Sequence, residues 1–223
     1  MAKKLLYVVC NPKQDVNTSK SQQIAEAYID AFKEVQPDVI VDKINLFHAG
    51  EEVIPEIDED LLFARAGLSF RGLKFEDLSP EQQRKYNNHV ACCDHFIDHD
   101  YYVFATPVWN LGSPHYMKKY IDNLFAAGKT FIAKPDDRRG LLTGHVQHIQ
   151  TRGGVYSYGP LMEFESGDRY LKIAMEFMGL NVHPVIFAEG LDHNPRQAPE
   201  LVAAAKEQAR KAAIELATST KDE

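Results

Sequence analysis

The run Leu5-Leu6-Tyr7-Val8-Val9-Cys10 is apolar throughout. A strand with one face in water alternates apolar and polar residues. One without alternation is covered on both faces, as in parallel sheets. Tyr101–Ala105 has the same character, and Val39–Ile44, His145–Gln150 and Val182–Phe187 read as further strands. Amphipathic stretches separate these runs. Ser19 to Val35 places Ile24, Tyr28, Ile29, Phe32 and Val35 at helical spacing,. Ser79-Pro80-Glu81-Gln82 is a helix start, with Ser as cap and Pro at the first turn, and that helix should reach Asp98,. Ser113-Pro114 opens another, with Met117, Tyr120, Ile121 and Leu124 on its buried side. Arg169–Met178 and Ala198–Ala217 follow, and the tail Thr218–Glu223 should fray. Strand and helix thus alternate five times. This predicts a single α/β domain over 1–223, a doubly wound five-stranded parallel sheet of order 2-1-3-4-5 with helices on both faces.

The remaining segments are less regular. Residues 47–78 carry Gly50, Pro55, Gly67 and Gly72 as punctuation, with Asp58–Ala66 a short helix,. Ala126–Gly140 reads as a loose connection and Thr151–Pro160 as a Gly-rich loop.

Charge and cysteine usage restrict the partners. A formal net charge of -7 without a basic run disfavours nucleic acid and membrane surfaces,. No apolar stretch approaches the ~18–20 residues of a membrane span, and the Leu5–Cys10 run is too short for a signal-peptide core,. Cys10, Cys92 and Cys93 make no disulfide framework, which points to a reducing cytoplasm,.

In open parallel sheets, ligands sit beyond the carboxyl ends of the strands. Three loops there are unusual. The first, Asn11–Ser21, ends in Ser19-Lys20-Ser21 at a helix start, where hydroxyls, free N–H groups and the helix dipole suit a phosphate,. Neither Gly-x-Gly-x-x-Gly nor a P-loop is present, so one terminal phosphate fits better than a pyrophosphate,. An ordinary helix cap explains the same residues. The second, Thr106–Gly112, holds Pro107, Val108, Trp109, Asn110 and Leu111, a platform for a flat heteroaromatic ring; the bland alternative is a core Trp beside a turn,. The third holds Thr151, Arg152, Gly153 and Gly154, whose glycines let backbone approach a ligand or simply make a turn,.

Taken together, Ser19-Lys20-Ser21, Pro107-Val108-Trp109-Asn110-Leu111 and Thr151-Arg152-Gly153-Gly154 resemble the motifs of the FMN-dependent NADH azoreductases. These also reduce quinones and belong to the flavodoxin-like superfamily. The resemblance runs from the first strand through Phe187-Ala188-Glu189-Gly190 to the closing helix. Val108 stands where the family has Met, Thr151 where it has Ser or Ala, and Asn11 where a Ser or His closes the phosphate site. The resemblance implies bound FMN, NADH or NADPH as donor, and a quinone or azo acceptor taking turns with it in a ping-pong cycle. It also implies a homodimer with sites near the interface. Backbone N–H groups of Asn110 and Leu111 would face the flavin N5 and O4, and those of Gly153 and Gly154 the N1/O2 edge. The rival is a flavodoxin-type electron carrier without small-molecule turnover. Residues 47–78 and the Gly153-Gly154 loop favour an enzyme, because they can build a pocket over the flavin.

No dedicated catalytic acid or base stands out. Tyr156, Tyr158 and Phe164 either line the acceptor pocket or belong to core or interface. His95 and His99, four residues apart on one helix, lack zinc-ribbon spacing, so no metal is expected,. Cys10 reads as a small buried hydrophobe.

Overall fold

The computed structural model describes residues 2–221. Strand β1 (Lys4–Val9) lies between β2 (Ile40–Asn45) and β3 (Tyr101–Pro107), parallel to both, with Leu5 opposite Val41 and Tyr101. The lack of alternation in β1 now has its cause. Leu5, Tyr7 and Val9 enter the core on one face of the sheet, and Leu6, Val8 and Cys10 the core on the other. Tyr101, Val103 and Ala105 divide from Tyr102 and Phe104 in the same way.

Helix α1 (Lys20–Val35) covers the first face together with α6 (Ala198–Ser219). Ile24, Tyr28 and Phe32 meet Ala205, Ala209 and Ala213, whose small side chains allow close approach. Full burial of a side chain such as Phe32 contributes roughly 1.5–3 kcal/mol. The second face is covered by α3 (Pro80–Ile97), α4 (His115–Leu124) and α5 (Gly167–Phe177), through Phe96, Tyr120, Ile121 and Met175. Helix α3 begins as its sequence requires: Ser79 Oγ accepts from Gln82 N, and Gln82 Oε1 from Ser79 N,.

Four expectations need correction. The main sheet has six strands, not five. Beyond β3 comes β6 (His145–Thr151), and β6 pairs with both β7 (Asn181–Val182) and β8 (Ile186–Ala188). The expected strand Val182–Phe187 is interrupted at Pro184, which has no N–H for the ladder,. The connection Ala126–Gly140 is not loose: β4 (Phe131–Ala133) and β5 (Arg138–Gly140) form an antiparallel hairpin. Helix α2 (Glu59–Phe70) outruns the expected end at Ala66, capped by Asp58, whose carboxylate accepts from Leu61 N. Finally, α6 continues to Ser219, and buried Thr220 receives a hydrogen bond from the Tyr101 hydroxyl at 2.8 Å. Of the tail expected to fray, Asp222 and Glu223 lie outside the described residues.

Candidate functional site

The loops after β1, β3 and β6 meet at the carboxyl ends of adjacent strands. Backbone bonds tie them: Cys10 N donates to Ala105 O at 3.0 Å, and Val108 N to Thr151 O at 2.8 Å.

In the first loop, Ser19 precedes α1, yet its side chain makes no capping bond. Ser19 and Ser21 are both buried, and their hydroxyls face each other at 3.4 Å. Among the described residues, the N–H groups of Lys20, Ser21 and Gln22 find no acceptor. Two buried hydroxyls at the positive end of a 16-residue helix therefore leave donors unused, which is the chemistry of a phosphate cradle,. The loop is held by its own polar groups. Asn11 is buried, its Oδ1 accepts from Lys13 N, and its carbonyl accepts from Asn45 Nδ2 at 3.0 Å. Gln22 Nε2 donates to Lys13 O. Lys20 is exposed and lines a shallow cleft with Pro195, Ala198 and Val202, on the α6 side.

The second loop is a tight turn. Trp109 and Gly112 exchange backbone bonds of 2.7 and 3.0 Å across Asn110 and Leu111, which have φ of 46° and 73°. Positive φ at both central positions defines a type I′ turn. Asn tolerates it; for Leu the left-handed region costs roughly 1–2 kcal/mol. The Asn110 and Leu111 N–H groups have no acceptor among the described residues. Trp109 is 41% exposed, so it is no core residue. Its ring meets Phe47 edge-on at 5.6 Å, and Phe47 in turn packs on Tyr116 at 4.6 Å. The segment after β2 thus walls the Trp109 loop. Pro107 and Val108 are half-buried at the end of β3.

In the third loop, Thr151 and Arg152 are buried. The Arg152 side chain turns inward: Nε donates to Gln150 Oε1 at 2.5 Å, the guanidinium stacks on Phe187 at 4.3 Å, and Nη1 lies 3.4 Å from Glu189 Oε2. Glu189 also accepts from Tyr156 N, Ser157 N and the Ser157 hydroxyl, and so shapes the loop. The carbonyls of Gly153 and Gly154 accept from Asp192 N and Gly190 N, while their own N–H groups have no acceptor among the described residues. A Cβ at Gly153 would lie 2.1 Å from Asp192 Oδ2, so a larger residue here would have to displace the Asp192 side chain. Tyr156 is half-buried beside Gly154, whereas Tyr158 and Phe164 are 71% and 56% exposed.

Sequence reasoning missed the polar chain beneath these loops. His148 is fully buried; one ring nitrogen lies 2.9 Å from Thr106 Oγ1 and the other 2.7 Å from Asp168 Oδ1. Burial alone would raise the Asp168 carboxyl, but the His148 hydrogen bond and nearby positive charge hold it below its ordinary value,. A His within an otherwise strand-like run was the one signal. Glu189 and Ser166 were also missed. The three thiols offer no nucleophile: Cys10, Cys92 and Cys93 are buried and unpaired, and burial pushes each up to about 12,.

A family model described as the flavodoxin-like fold matches residues 3–213. The FMN-dependent NADH:quinone oxidoreductase of Geobacillus kaustophilus (strain HTA426) is 41% identical over 201 residues, covering 90% of this chain and 93% of that protein. The FMN-dependent NADH:quinone oxidoreductase 2 of Listeria innocua is 37% identical over 213 residues, covering 95% and 99%. Among solved structures, the azoreductase of Bacillus anthracis str. Sterne superposes with a TM-score of 0.85 at 29% identity, covering 96% of this chain and 99% of that one. The FMN-dependent NADH-azoreductase of Bacillus anthracis str. Ames Ancestor in complex with FMN gives 0.85 at 26% identity, with the same coverage.

Proposed function

Since this chain belongs to the flavodoxin-like family of FMN-dependent NADH:quinone oxidoreductases and azoreductases, we propose that its three loops hold FMN for NADH-dependent reduction of quinones and azo compounds. The observation that carries the site assignment is the pair of buried hydroxyls, Ser19 and Ser21, that cap nothing at the start of α1.

When bound, FMN supplies a two-electron store that takes hydride from the nicotinamide and passes it to the acceptor. The chain does the positioning. Ser19, Ser21 and the first N–H groups of α1 hold the phosphate, with Asn11 closing the loop and Lys20 adding charge from outside. The N–H groups of Asn110 and Leu111, and those of Gly153 and Gly154, would be the donors to the ring system. Both turns are closed by backbone bonds within the chain, between Trp109 and Gly112 and from Gly190 and Asp192 to the glycine carbonyls, which suits fixed donors. Pro107, Val108 and Trp109 supply contact area, while Thr151 and Arg152 brace the glycine loop from within. Tyr156 lies beside that loop and is best placed of the three aromatics to meet an acceptor.

We also assign the protein as one FMN-binding domain acting as a homodimer. Tyr170, Ile173 and Phe177 are 36%, 57% and 47% exposed and share the outer face of α5, while Met162 and Phe164 nearby are 55% and 56% exposed. An apolar face of this kind favours self-association, and it would put Tyr158 and Phe164 at the interface beside the flavin loops. Three unpaired cysteines fit a reducing compartment such as the cytoplasm,.

The deciding experiment is steady-state NADH and NADPH oxidation by FMN-loaded protein with menadione and methyl red. Turnover well above that of free FMN is expected. Turnover no faster than free FMN would instead leave an electron carrier.

A further inference from the structure

At the other end of β3 from the Trp109 loop, the fold joins residues that are remote in sequence. Asp42 on β2, His95 in the last turn of α3 and His99 just beyond it present one carboxylate oxygen and two imidazole nitrogens, all within 4.8 Å of one another. The expectation of no metal rested on the two histidines alone; the third group comes from an edge strand packed against α3.

Each ligand is oriented. His99 is buried, and its Nδ1 lies 2.8 Å from the His95 carbonyl. A carbonyl only accepts, so the ring proton is on Nδ1 and the Nε2 lone pair is free. That is the arrangement of a metal-binding imidazole whose other nitrogen is tied down. Nε2 faces Asp42 Oδ2 at 3.9 Å, beyond hydrogen-bond reach, so two acceptors oppose each other,. His95 Nε2 lies 2.7 Å from the same oxygen. The His99 carbonyl accepts from the Tyr102 hydroxyl at 2.7 Å, which fixes the chain at this point.

We infer that Asp42, His95 and His99 form a binding site for a divalent transition metal of the zinc class, with water as the fourth ligand. Zinc takes imidazole and carboxylate at about 2.0–2.2 Å, which puts tetrahedral ligand atoms about 3.3 Å apart. Reaching that spacing from the present one needs side-chain shifts of about 1 Å. On binding, His95 moves its proton from Nε2 to Nδ1 and gives the Nε2 lone pair to the metal. Asp42 exchanges a hydrogen bond for a coordinate bond.

The surroundings suit a cation. Asp98 lies close enough to influence both histidines, with its carboxylate paired to Lys4 at 2.5 Å. Lys43, the neighbour of Asp42, points to the other face of the sheet, where it pairs with Glu26 and lies over the Tyr7 ring. Asp42 and His95 open onto a cleft of about 300 Å³ shared with Asn45, His48 and Val53, so an ion has a path in. Strand β3 is 7 residues long, which separates this site from the Trp109 turn by about 20 Å. The metal would clip edge strand β2 to the end of α3 rather than take part in hydride transfer.

The test is calorimetric titration of chelator-treated, FMN-loaded protein with Zn²⁺, repeated with Co²⁺ for its absorption bands, and thermal melting of the same samples. One equivalent should bind and raise the melting midpoint. Asp42→Asn and His95→Ala, both at the surface and checked by circular dichroism, should each weaken binding at least about tenfold. EDTA should leave NADH oxidation unchanged. Absence of one-equivalent binding by the parent protein, or binding as tight as the parent's in either variant, overturns the site.

Discussion

Ser166 grips the carbonyl of Leu111 twice, through its N–H at 2.8 Å and its hydroxyl at 2.9 Å. This clamp, from the residue before α5, holds a leucine in left-handed backbone within the turn whose two central N–H groups lack an acceptor among the described residues. Strain of this kind persists only where the surroundings impose it, and it gathers at functional sites.

The first prediction follows from that clamp. Leu111→Asn should raise the unfolding free energy by about 1 kcal/mol, because Asn adopts positive φ readily and Leu111 is largely exposed,. Urea denaturation at fixed FMN concentration measures it. A loss of stability would show that the Leu111 side chain, not its backbone, matters to the fold.

The phosphate loop is tested by removing both buried hydroxyls. Ser19→Ala combined with Ser21→Ala should weaken FMN binding by ~1–3 kcal/mol, with little effect on folding, since the two hydroxyls contact only each other,. Flavin fluorescence titration reads the dissociation constant, and an unchanged value removes both residues from the site.

The polar chain beneath the loops makes a stability prediction. Asp168→Ala leaves a buried imidazole nitrogen without its partner and should cost about 2–3 kcal/mol. Asp168→Asn keeps the shape and an acceptor oxygen, so it should cost less. The order of the two variants in chemical denaturation is the decisive reading; the reverse order would refute the hydrogen-bonded pair.

A further prediction concerns acid. His89 is buried against Asn123, and burial depresses its folded value from 6.5 to about 4. Between those values the unfolded chain binds a proton that the native protein does not, so stability falls as pH drops through this window and is complete above about 6.5. The loss by pH 4 should be about 3 kcal/mol from this residue. His89→Gln should remove that part of the pH dependence between pH 7 and 4.5. An identical slope in the variant would assign the acid sensitivity elsewhere.

How far these features could be read from the sequence depended on how local their causes are. Strands β1 and β3 were legible because burial on both faces writes itself into consecutive residues. Helix α3 was legible because its cap and Pro80 lie within four positions. The interruption at Pro184 was visible as a residue but not as a break, since the neighbouring apolar positions suggested a continuous run. Strands β4 and β5 have 3 residues each, too few for any period to show. The positions of Ser19, Asn110 and Gly153 in loops at the strand ends were legible from composition. The inward turn of Arg152 was not, because its partner Glu189 is 37 residues away. Nor was Asp42 beside His95, at a separation of 53. Such pairs are created by tertiary packing alone.

The burial of the cysteines has a consequence for the quinone acceptors proposed above. Quinones are electrophiles that alkylate thiolates. Burial pushes each thiol well above its ordinary value, so at neutral pH they stay protonated, and none lies at the surface,. Acceptors of that kind would find no target on this chain, and repeated turnover with a quinone should leave its three sulfurs unmodified.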